Sequence, residues 1–383
     1  MRAALNFEQL LSPSPGGVGR YTARLALHLA ALGVEVLGAV ARHPREEVER
    51  AWRIAGLSPS VALPEVMALP RPVLYDAWHL LGWPALAGAG AADVVHAPSL
   101  AVPPRHGKPL VVSVHDAAPW LFPEAFGRRG RWFHAMGARA AARRADVVLT
   151  GSQAAAEEVV GNLGLDAARV RVVPYGVDEF VVPGEAVVRE VLGRLGLVGV
   201  PYVLWVGSLE PRKGVGTLVT AMARLPAGPG EGGRVAPHLV MAGYRGWHNE
   251  QLVPEAERAV LGERLHQLGR VAEAELQVLY ANATAFAFPS LHEGFGLPVL
   301  EAMAAGVPVV ASDIPPLREV AGGAALLVPP GRPDVWAEAL ASVLGDRTGT
   351  EVGSRVQAGR HRAAEHSWGA TAQATLAVYR ELA

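Results

Sequence analysis

The segment that most constrains the fold runs from residue 284 to residue 312. Its first apolar run ends at Pro289 and Ser290 and predicts a buried strand. A glycine-rich turn follows, and Pro298 suits the first turn of a predicted helix, from residue 299 to 305, that stops at Gly306. The next apolar run predicts another strand. This order of strand, turn, helix and strand indicates a parallel sheet with the turn at its carboxyl edge.

The glycine-rich turn is a candidate anion-binding site. The N–H groups of Phe295, Gly296 and Leu297 lie at the N terminus of the predicted helix, where the helix dipole favours phosphate. Glu293 precedes the turn, and Glu301 is expected in the first helical turn. Because a carboxylate beside a phosphate needs hydroxyl partners, the pattern favours a ligand with a sugar, a diphosphate and a ribose. The alternative is that both glutamates only cap the turn and the helix.

A second phosphate-binding candidate follows the predicted strand 202–206. Gly207 ends this strand, and the adjacent cations Arg212 and Lys213 come after it. Two cations beside backbone N–H groups suit a diphosphate. Lysine is rare in this chain, since the only other one is Lys108, in a predicted surface loop. An ordinary surface pair of cations is the alternative.

The N-terminal half predicts another α/β unit. Residues 2–7 and 34–40 are predicted strands joined by a helix, so Gly16 and Gly17 are expected in a loop at the carboxyl edge of the sheet, with a flexible turn as the alternative. Further buried strands are predicted at 94–97, 111–114, 147–150 and 170–173. His115 and Asp116 follow one of these strands and are candidates for an acid–base pair, with a structural hydrogen bond as the alternative.

An arginine-rich segment, residues 126–146, is a candidate for contact with an anionic membrane. It contains six arginines and no acidic residue before Asp146. Four aromatic residues lie in or near it, and such pairing of cations with aromatics is typical of membrane surfaces: Trp120, Phe122, Trp132 and Phe133. A solvated arginine-rich helix is the favoured alternative.

Length and composition predict two domains. A chain of 383 residues is too long for one ordinary core, and a net charge of −1 argues against a nucleic-acid binder. The absence of cysteine excludes disulfides and thiolate metal sites. The predicted domains are residues 1–180 and 181–383, and residues 363–382 predict a C-terminal helix. With no secretory signal and no stretch long enough to span a bilayer, a cytoplasmic location is expected, with peripheral contact at the inner face of the membrane as a further option.

The motif E-G-F-G-L-P-x-L-E-A-M-A-x-G-x-P-V-V-A-S at residues 293–312 resembles the E-x7-E motif of retaining glycosyltransferases of family 4. The resemblance implies the GT-B fold, in which two Rossmann-like domains face each other across a cleft. It also implies that the first domain binds the acceptor, the second binds the nucleotide sugar, and the C-terminal helix packs back on the first. Glu293 would contact the donor hexose, and Glu301 the ribose.

The resemblance covers nearly the whole chain and implies further roles. The loop with Gly16 and Gly17 would close over the donor phosphates. His115, with Asp116, would line the cleft near the donor sugar and the acceptor. The backbone at Val271, in the motif Gly-Arg-Val, would reach the nucleotide base.

Arg212 and Lys213 match the family residues that hold the departing diphosphate, in a loop that opens at Gly207. This chain departs from many relatives at Ser208, where they carry an arginine. The motif G-S-L-E-P-R-K still resembles a subgroup associated with mannosyl donors, as does the sequence at 243–247.

The resemblance implies a retaining hexosyltransferase, with mannose a candidate hexose, acting in glycan, glycolipid or polysaccharide synthesis. Its donor would be a GDP- or UDP-linked sugar, and its acceptor a hydroxyl of a sugar or of a lipid-linked or other molecule. Because Arg212 and Lys213 can hold the diphosphate and no D-x-D pair is present, no metal or cofactor is expected. The alternatives are a sugar-nucleotide isomerase or phosphorylase on the same fold, and a non-catalytic sugar-nucleotide-binding protein.

Overall fold

The computed structural model describes the chain except residues 14, 227–235, 245–251 and 346–348. Residues 226–237, which the sequence predicts to form an exposed loop, lie mostly outside the described residues, as does the last part of the 243–247 motif. The chain divides into two compact units. The first unit is Met1–Gly176 with His366–Ala383, and the second is Val177–Glu365.

A parallel sheet forms the centre of the first unit. Its described strands are β1 (Arg2–Asn6), β2 (Glu35–Val40), β3 (Glu65–Val66), β4 (Val94–Ala97), β5 (Leu110–Ser113), β6 (Val147–Thr150) and β7 (Val170–Val172). They lie in the order β3-β2-β1-β4-β5-β6-β7, and every neighbouring pair is parallel. Every residue of β4, β5 and β6 is buried, as expected where helices cover both faces.

Helices connect these strands. They are α1 (Gly16–Ala31), α2 (Arg45–Ile54), α3 (Arg71–Asp76), α4 (Ala118–Leu121), α5 (Arg128–Arg144) and α6 (Gln153–Leu163). The prediction that Gly16 and Gly17 lie in a loop is wrong, because they are the first residues of α1. The reason is that the carbonyl of Pro15 already accepts a hydrogen bond from the Gly19 N–H, at 3.0 Å, and this bond opens the helix.

The second unit contains another parallel sheet. Its described strands are β8 (Tyr202–Val206), β9 (His238–Ala242), β10 (Leu265–Gly269), β11 (Ala285–Phe288), β12 (Val309–Ser312) and β13 (Leu326–Val328), in the order β10-β9-β8-β11-β12-β13. The helices are α7 (Glu185–Arg194), α8 (Val215–Ala223), α9 (Glu255–Leu261), α10 (Glu273–Asn282), α11 (Leu297–Ala304), α12 (Pro315–Ala321), α13 (Pro333–Gly345) and α14 (Thr350–Ala364). The predicted α/β class with two Rossmann-like domains is confirmed. None of the helices in the described ranges has the length and hydrophobicity that crossing a bilayer requires.

The last helix, α15 (Trp368–Leu382), belongs to the first unit. It begins later than the predicted position 363, because the Ser367 side chain caps it by accepting a hydrogen bond from the Ala370 N–H. The Thr371 hydroxyl donates to the carbonyl of Pro174 at 2.8 Å. A β-carbon at Gly176 would lie 2.1 Å from the backbone nitrogen of Trp368, so this contact requires glycine.

A buried hydrogen-bond chain connects α15 to the sheet. His96 is bonded through Nδ1 to the Tyr379 hydroxyl at 2.5 Å and through Nε2 to the Ser113 hydroxyl at 2.8 Å. The Ser113 hydroxyl is in turn 2.9 Å from that of Tyr21 on α1. Burial lowers the pKa of His96 to about 3, with a smaller contribution from the neighbouring His115. The folded protein therefore holds His96 in its neutral form.

Acid should destabilise the fold through His96. An unfolded histidine takes up a proton below about pH 6.5, which buried His96 does not. The stabilisation is therefore complete above that pH and is lost, by about 1.4 kcal/mol per pH unit, as the pH falls toward the folded pKa. Urea unfolding between pH 7 and pH 5 should show this slope reduced in His96→Gln. It should be unchanged in His106→Asn, an exposed control whose positive φ asparagine tolerates. An equal slope in His96→Gln and wild type would contradict the assignment.

Candidate active site

Two loops meet at the carboxyl edge of the second sheet, because β8 and β11 are neighbouring parallel strands. The Leu291 N–H, after β11, donates to the carbonyl of Arg212, after β8, at 2.7 Å. Gly214 has a φ of +65°, and a β-carbon there would lie 2.0 Å from the Pro289 carbonyl oxygen. Only glycine therefore allows the two loops to approach this closely.

This approach places Lys213 against Glu293. The Lys213 Nζ atom donates to Glu293 Oε1 at 2.6 Å, and the Ser290 hydroxyl donates to the same oxygen at 2.7 Å. Only 9% of Lys213 and 7% of Glu293 are exposed. Burial alone would raise the pKa of Glu293, but the charges of Lys213 and Arg212 outweigh it and hold the pKa below its usual value. Burial and the charge of Arg212 lower the pKa of Lys213, while Glu293 opposes this change.

Arg212 completes a cluster of four charges. Its Nε atom donates to Glu210 Oε2 at 3.0 Å, and its Nη1 atom lies 3.9 Å from Glu293 Oε2. Two carboxylates therefore face two cations, Arg212 and Lys213, and these four side chains carry no net charge together. Such a cluster can receive an anion when one carboxylate finds another partner.

Glu301 lies on α11 and accepts a hydrogen bond from the Tyr280 hydroxyl at 2.9 Å. The prediction that Glu301 sits in the first helical turn is wrong. Gly296 has a φ of +113° and lets α11 begin at Leu297, two residues before the predicted start, so that Glu301 falls in the second turn. Because dipole effects fade beyond the first turn, the interpretation of Glu301 as a helix-stabilising residue loses support.

The other predicted residues of this unit lie on the same edge of the sheet. Phe295 is buried, and Leu297 is the first residue of α11. Gly207 follows β8, and its carbonyl oxygen would lie 1.6 Å from a β-carbon at Gly243, which follows β9. Val271 comes just after β10, the outermost strand on that side.

The remaining predicted residues belong to the first unit. His115 follows β5, and its Nε2 donates to the Pro98 carbonyl at 2.8 Å, so Nδ1 accepts from the Tyr175 hydroxyl at 2.7 Å. Burial lowers the pKa of His115 below its usual value, which favours the neutral imidazole. Asp116 accepts a hydrogen bond from the Ala118 N–H at the start of α4. These contacts match the alternative in which His115 makes structural hydrogen bonds. To act as a base, His115 would have to give up one of these hydrogen bonds.

Sequence reasoning missed Glu210, Ser290, Tyr280 and Tyr175. Glu210 and Ser290 lie beside residues that the sequence does identify as site candidates. Their polar side chains next to those candidates are the signal by which they could have been found. Tyr280 and Tyr175 are distant in the chain from the residues that they contact, and no spacing in the sequence indicates either contact.

Comparisons with known proteins identify the family of both units. Residues 195–361 match the family model described as glycosyl transferases group 1, and residues 15–179 match that of glycosyltransferase family 4. The chain is 28% identical to the O-antigen chain mannosyltransferase B of Escherichia coli, over 96% of each chain. It is 31% identical to the MMP alpha-(1->4)-mannosyltransferase of Mycolicibacterium hassiacum, over 95% of this chain and 94% of the relative. The crystal structure of Anabaena Alr3699/HepE with UDP and glucose covers 100% of both chains, with a TM-score of 0.74 at 20% identity, a likeness of fold.

Replacing Gly214 should separate the two loops. Gly214→Ala must adopt left-handed backbone geometry, which costs about 1–2 kcal/mol, and must also displace Pro289, for which overpacking costs roughly 1–3 kcal/mol more. Gly199→Ala is a matched control, since Gly199 also has a positive φ, +71°, but faces open space. Urea unfolding should therefore show the larger loss of stability for Gly214→Ala. Equal losses would mean that the contact with Pro289 relaxes freely.

Proposed function

Because this chain belongs to glycosyltransferase family 4, we propose that it transfers a hexose, with retention, from a nucleotide diphosphate sugar to an acceptor hydroxyl. The observation that carries the proposal is the buried pair of Lys213 and Glu293 beside Arg212, which brings two cations suited to phosphate against a carboxylate suited to hydroxyls. The names of the two mannosyltransferase relatives support mannose as a candidate hexose. The donor nucleotide is GDP or UDP, and the acceptor is a sugar, lipid-linked or other hydroxyl of glycan, glycolipid or polysaccharide synthesis.

The cations act on the leaving group. The bond between the anomeric carbon and the diphosphate oxygen breaks, and the acceptor oxygen bonds to the same face of that carbon. The acceptor proton passes to the departing phosphate, so that no protein nucleophile is needed. Arg212 and Lys213 stabilise the charge that develops on the diphosphate, an effect commonly worth about 2.7–4 kcal/mol per donor. For this reason we propose that neither a metal nor a cofactor takes part.

The carboxylates act on the sugar and the ribose. Glu293 leaves Lys213 when the diphosphate arrives and accepts hydrogen bonds from hydroxyls of the hexose. Glu301 accepts from the ribose hydroxyls, and the Tyr280 hydroxyl, 2.9 Å away, holds it in place. The main-chain N–H groups around Gly296 and the residues at Gly207 and Val271 complete the donor site. Donor binding by Gly16, Gly17 and Asp116 of the first unit, and a catalytic role for His115, stay predictions from the sequence.

Transfer should persist in excess chelator and depend on Lys213. With GDP- and UDP-hexoses in EDTA, the wild type should transfer or slowly hydrolyse one donor with retained anomeric configuration. Lys213→Ala should lower kcat by roughly 10²–10³. Lys108→Ala, which removes the other lysine of the chain, should leave kcat unchanged. Loss of activity in EDTA with recovery in Mg²⁺ would contradict the metal-free proposal. Rearrangement of the donor without an acceptor would favour an isomerase, and binding without turnover a non-catalytic protein.

We also propose that the first unit contacts an anionic membrane. Three large apolar side chains are exposed at or just after the π-helical turn Ala77–Leu81, which continues α3: Leu80 by 59%, Leu81 by 76% and Trp83 by 63%. Arg144 Nη1 donates to the Trp78 carbonyl at 2.7 Å, which joins this turn to α5. Exposed apolar side chains beside fixed cations suit the interface of an anionic bilayer.

The cations come from α5, which has no acidic residue. Its exposed arginines include Arg128, Arg131, Arg139 and Arg143. The sequence-based interpretation relied on aromatic residues, but Trp120 and Phe133 pack against the core, and Trp132 lies under the Arg129 guanidinium. The proposed membrane surface is therefore residues 80–83, at the end of the π-helical turn, with the exposed arginines of α5.

Vesicle binding should require both parts of this surface. The protein should sediment with phosphatidylglycerol vesicles and less with phosphatidylcholine vesicles, and added salt should weaken the binding, because exposed charges are screened. Leu81→Glu should reduce sedimentation about tenfold or more. Ile54→Glu replaces a residue that is 71% exposed on α2 and should have no effect. Equal binding of both lipids, or an equal loss in the two variants, would exclude this surface.

A further inference from the structure

Glu210 contacts both cations of the candidate site, Arg212 and Lys213. It lies outside the motif that contains Glu293 and Glu301. Its Oε1 atom accepts a hydrogen bond from the Ser208 hydroxyl at 2.7 Å, and its Oε2 atom accepts from Arg212 Nε at 3.0 Å. Its backbone carbonyl accepts from the Lys213 N–H at 3.0 Å. One residue therefore contacts both Arg212 and Lys213, through its side chain and its main chain respectively.

The contact at Nε determines how Arg212 presents its charge. A guanidinium has five N–H donors in one plane, and Glu210 binds the donor nearest the stem. The four donors on the terminal nitrogens remain on the far side, and Nη1 lies 3.9 Å from Glu293. Pro211 restricts the backbone between Glu210 and Arg212. The guanidinium is thus oriented with its terminal nitrogens toward the carboxylate that pairs with Lys213.

Glu210 differs from Glu293 in what holds it. Both carboxylate oxygens of Glu210 bind side chains of its own loop, two residues before and two residues after it. Glu293 instead binds Lys213 of the other loop and Ser290. Glu293 can therefore change partner when a ligand arrives, whereas Glu210 is fixed by neighbours on both sides.

We propose that Glu210 is the positioning residue of Arg212, and that Ser208 holds Glu210 in this role. Glu210 keeps the terminal nitrogens of Arg212 directed at the diphosphate, so that a carboxylate strengthens the binding of an anion. The serine at 208 matters because an arginine there would offer Glu210 a competing cation. This role rests on the proposed function, since it requires a diphosphate ligand.

The direction in which Glu210→Gln changes the affinity for the nucleotide distinguishes a positioning role from a purely electrostatic one. Removing a negative charge beside an anion site should strengthen the binding of the anion if Glu210 acts only through its field. If Glu210 acts by orienting Arg212, Glu210→Gln should weaken it. The loss should be about 3–10-fold in the affinity for UDP or GDP, less than the roughly 10–100-fold expected for Arg212→Ala, which removes a charged hydrogen bond.

A double-mutant cycle, measured by calorimetry with UDP and GDP as ligands, tests the proposal. Glu210→Gln should have no further effect in the Arg212→Ala background, because the residue through which it acts is gone. Asp334→Asn is the control, since Asp334 also pairs with an arginine two residues away, Arg332, but at the exposed start of α13. It should leave affinity unchanged. Melting temperatures of all variants should stay close to that of the wild type.

The possible failures are distinguishable. Tighter or unchanged binding in Glu210→Gln, or losses that add in the double variant, would overturn the positioning role while the wild type still binds nucleotide. A wild type that binds neither UDP nor GDP would overturn the proposed function and this role with it. Restored affinity in Glu210→Asp, relative to Glu210→Gln, would add support, because aspartate returns the charge that orients Arg212.

Discussion

The buried ion pair of Lys213 and Glu293 is the interaction on which the candidate site depends. Either charge alone would be strongly penalised by burial, but at 2.6 Å each provides the counter-charge of the other. The pair forms because β8 and β11 are neighbours in the sheet, and because Gly214 lets the loops after them touch. Strand order and one backbone conformation thus determine where the charges of the site lie.

Charge balance also couples the binding of the diphosphate to the binding of the hexose in the proposed ligand. Without a ligand, the carboxylates of Glu210 and Glu293 balance the two cations of the cluster. A diphosphate adds negative charge, which is tolerated only if one carboxylate moves to neutral partners. Glu293 is the one that can move, and hydroxyls of a hexose are such partners. In the proposed reaction, recognition of the sugar and binding of the diphosphate are therefore coupled through a single side chain.

The sequence predicted the strands best where continuous apolar runs end at turn residues. The strands at 94–97, 147–150 and 202–206 have the predicted bounds. Helix starts were less predictable, because they depend on single backbone conformations. The positive φ of Gly296 starts α11 early and moves Glu301 into the second turn, and the Pro15 carbonyl starts α1 at Gly16. The edge of the sheet on which these residues lie was predictable, but their place within the helix was not.

Hydrogen-bond partners were the least predictable feature, because they depend on contacts between distant parts of the chain. The sequence locates His115 at the end of a strand, but Pro98 and Tyr175 determine which of its nitrogens carries the proton. A pattern can therefore identify a polar residue at a sheet edge without revealing whether it can exchange a proton. The pair of Lys213 and Glu293 illustrates the same limit. The sequence identifies each residue from its own loop, but only the packing of the two loops shows that the two charges neutralise each other.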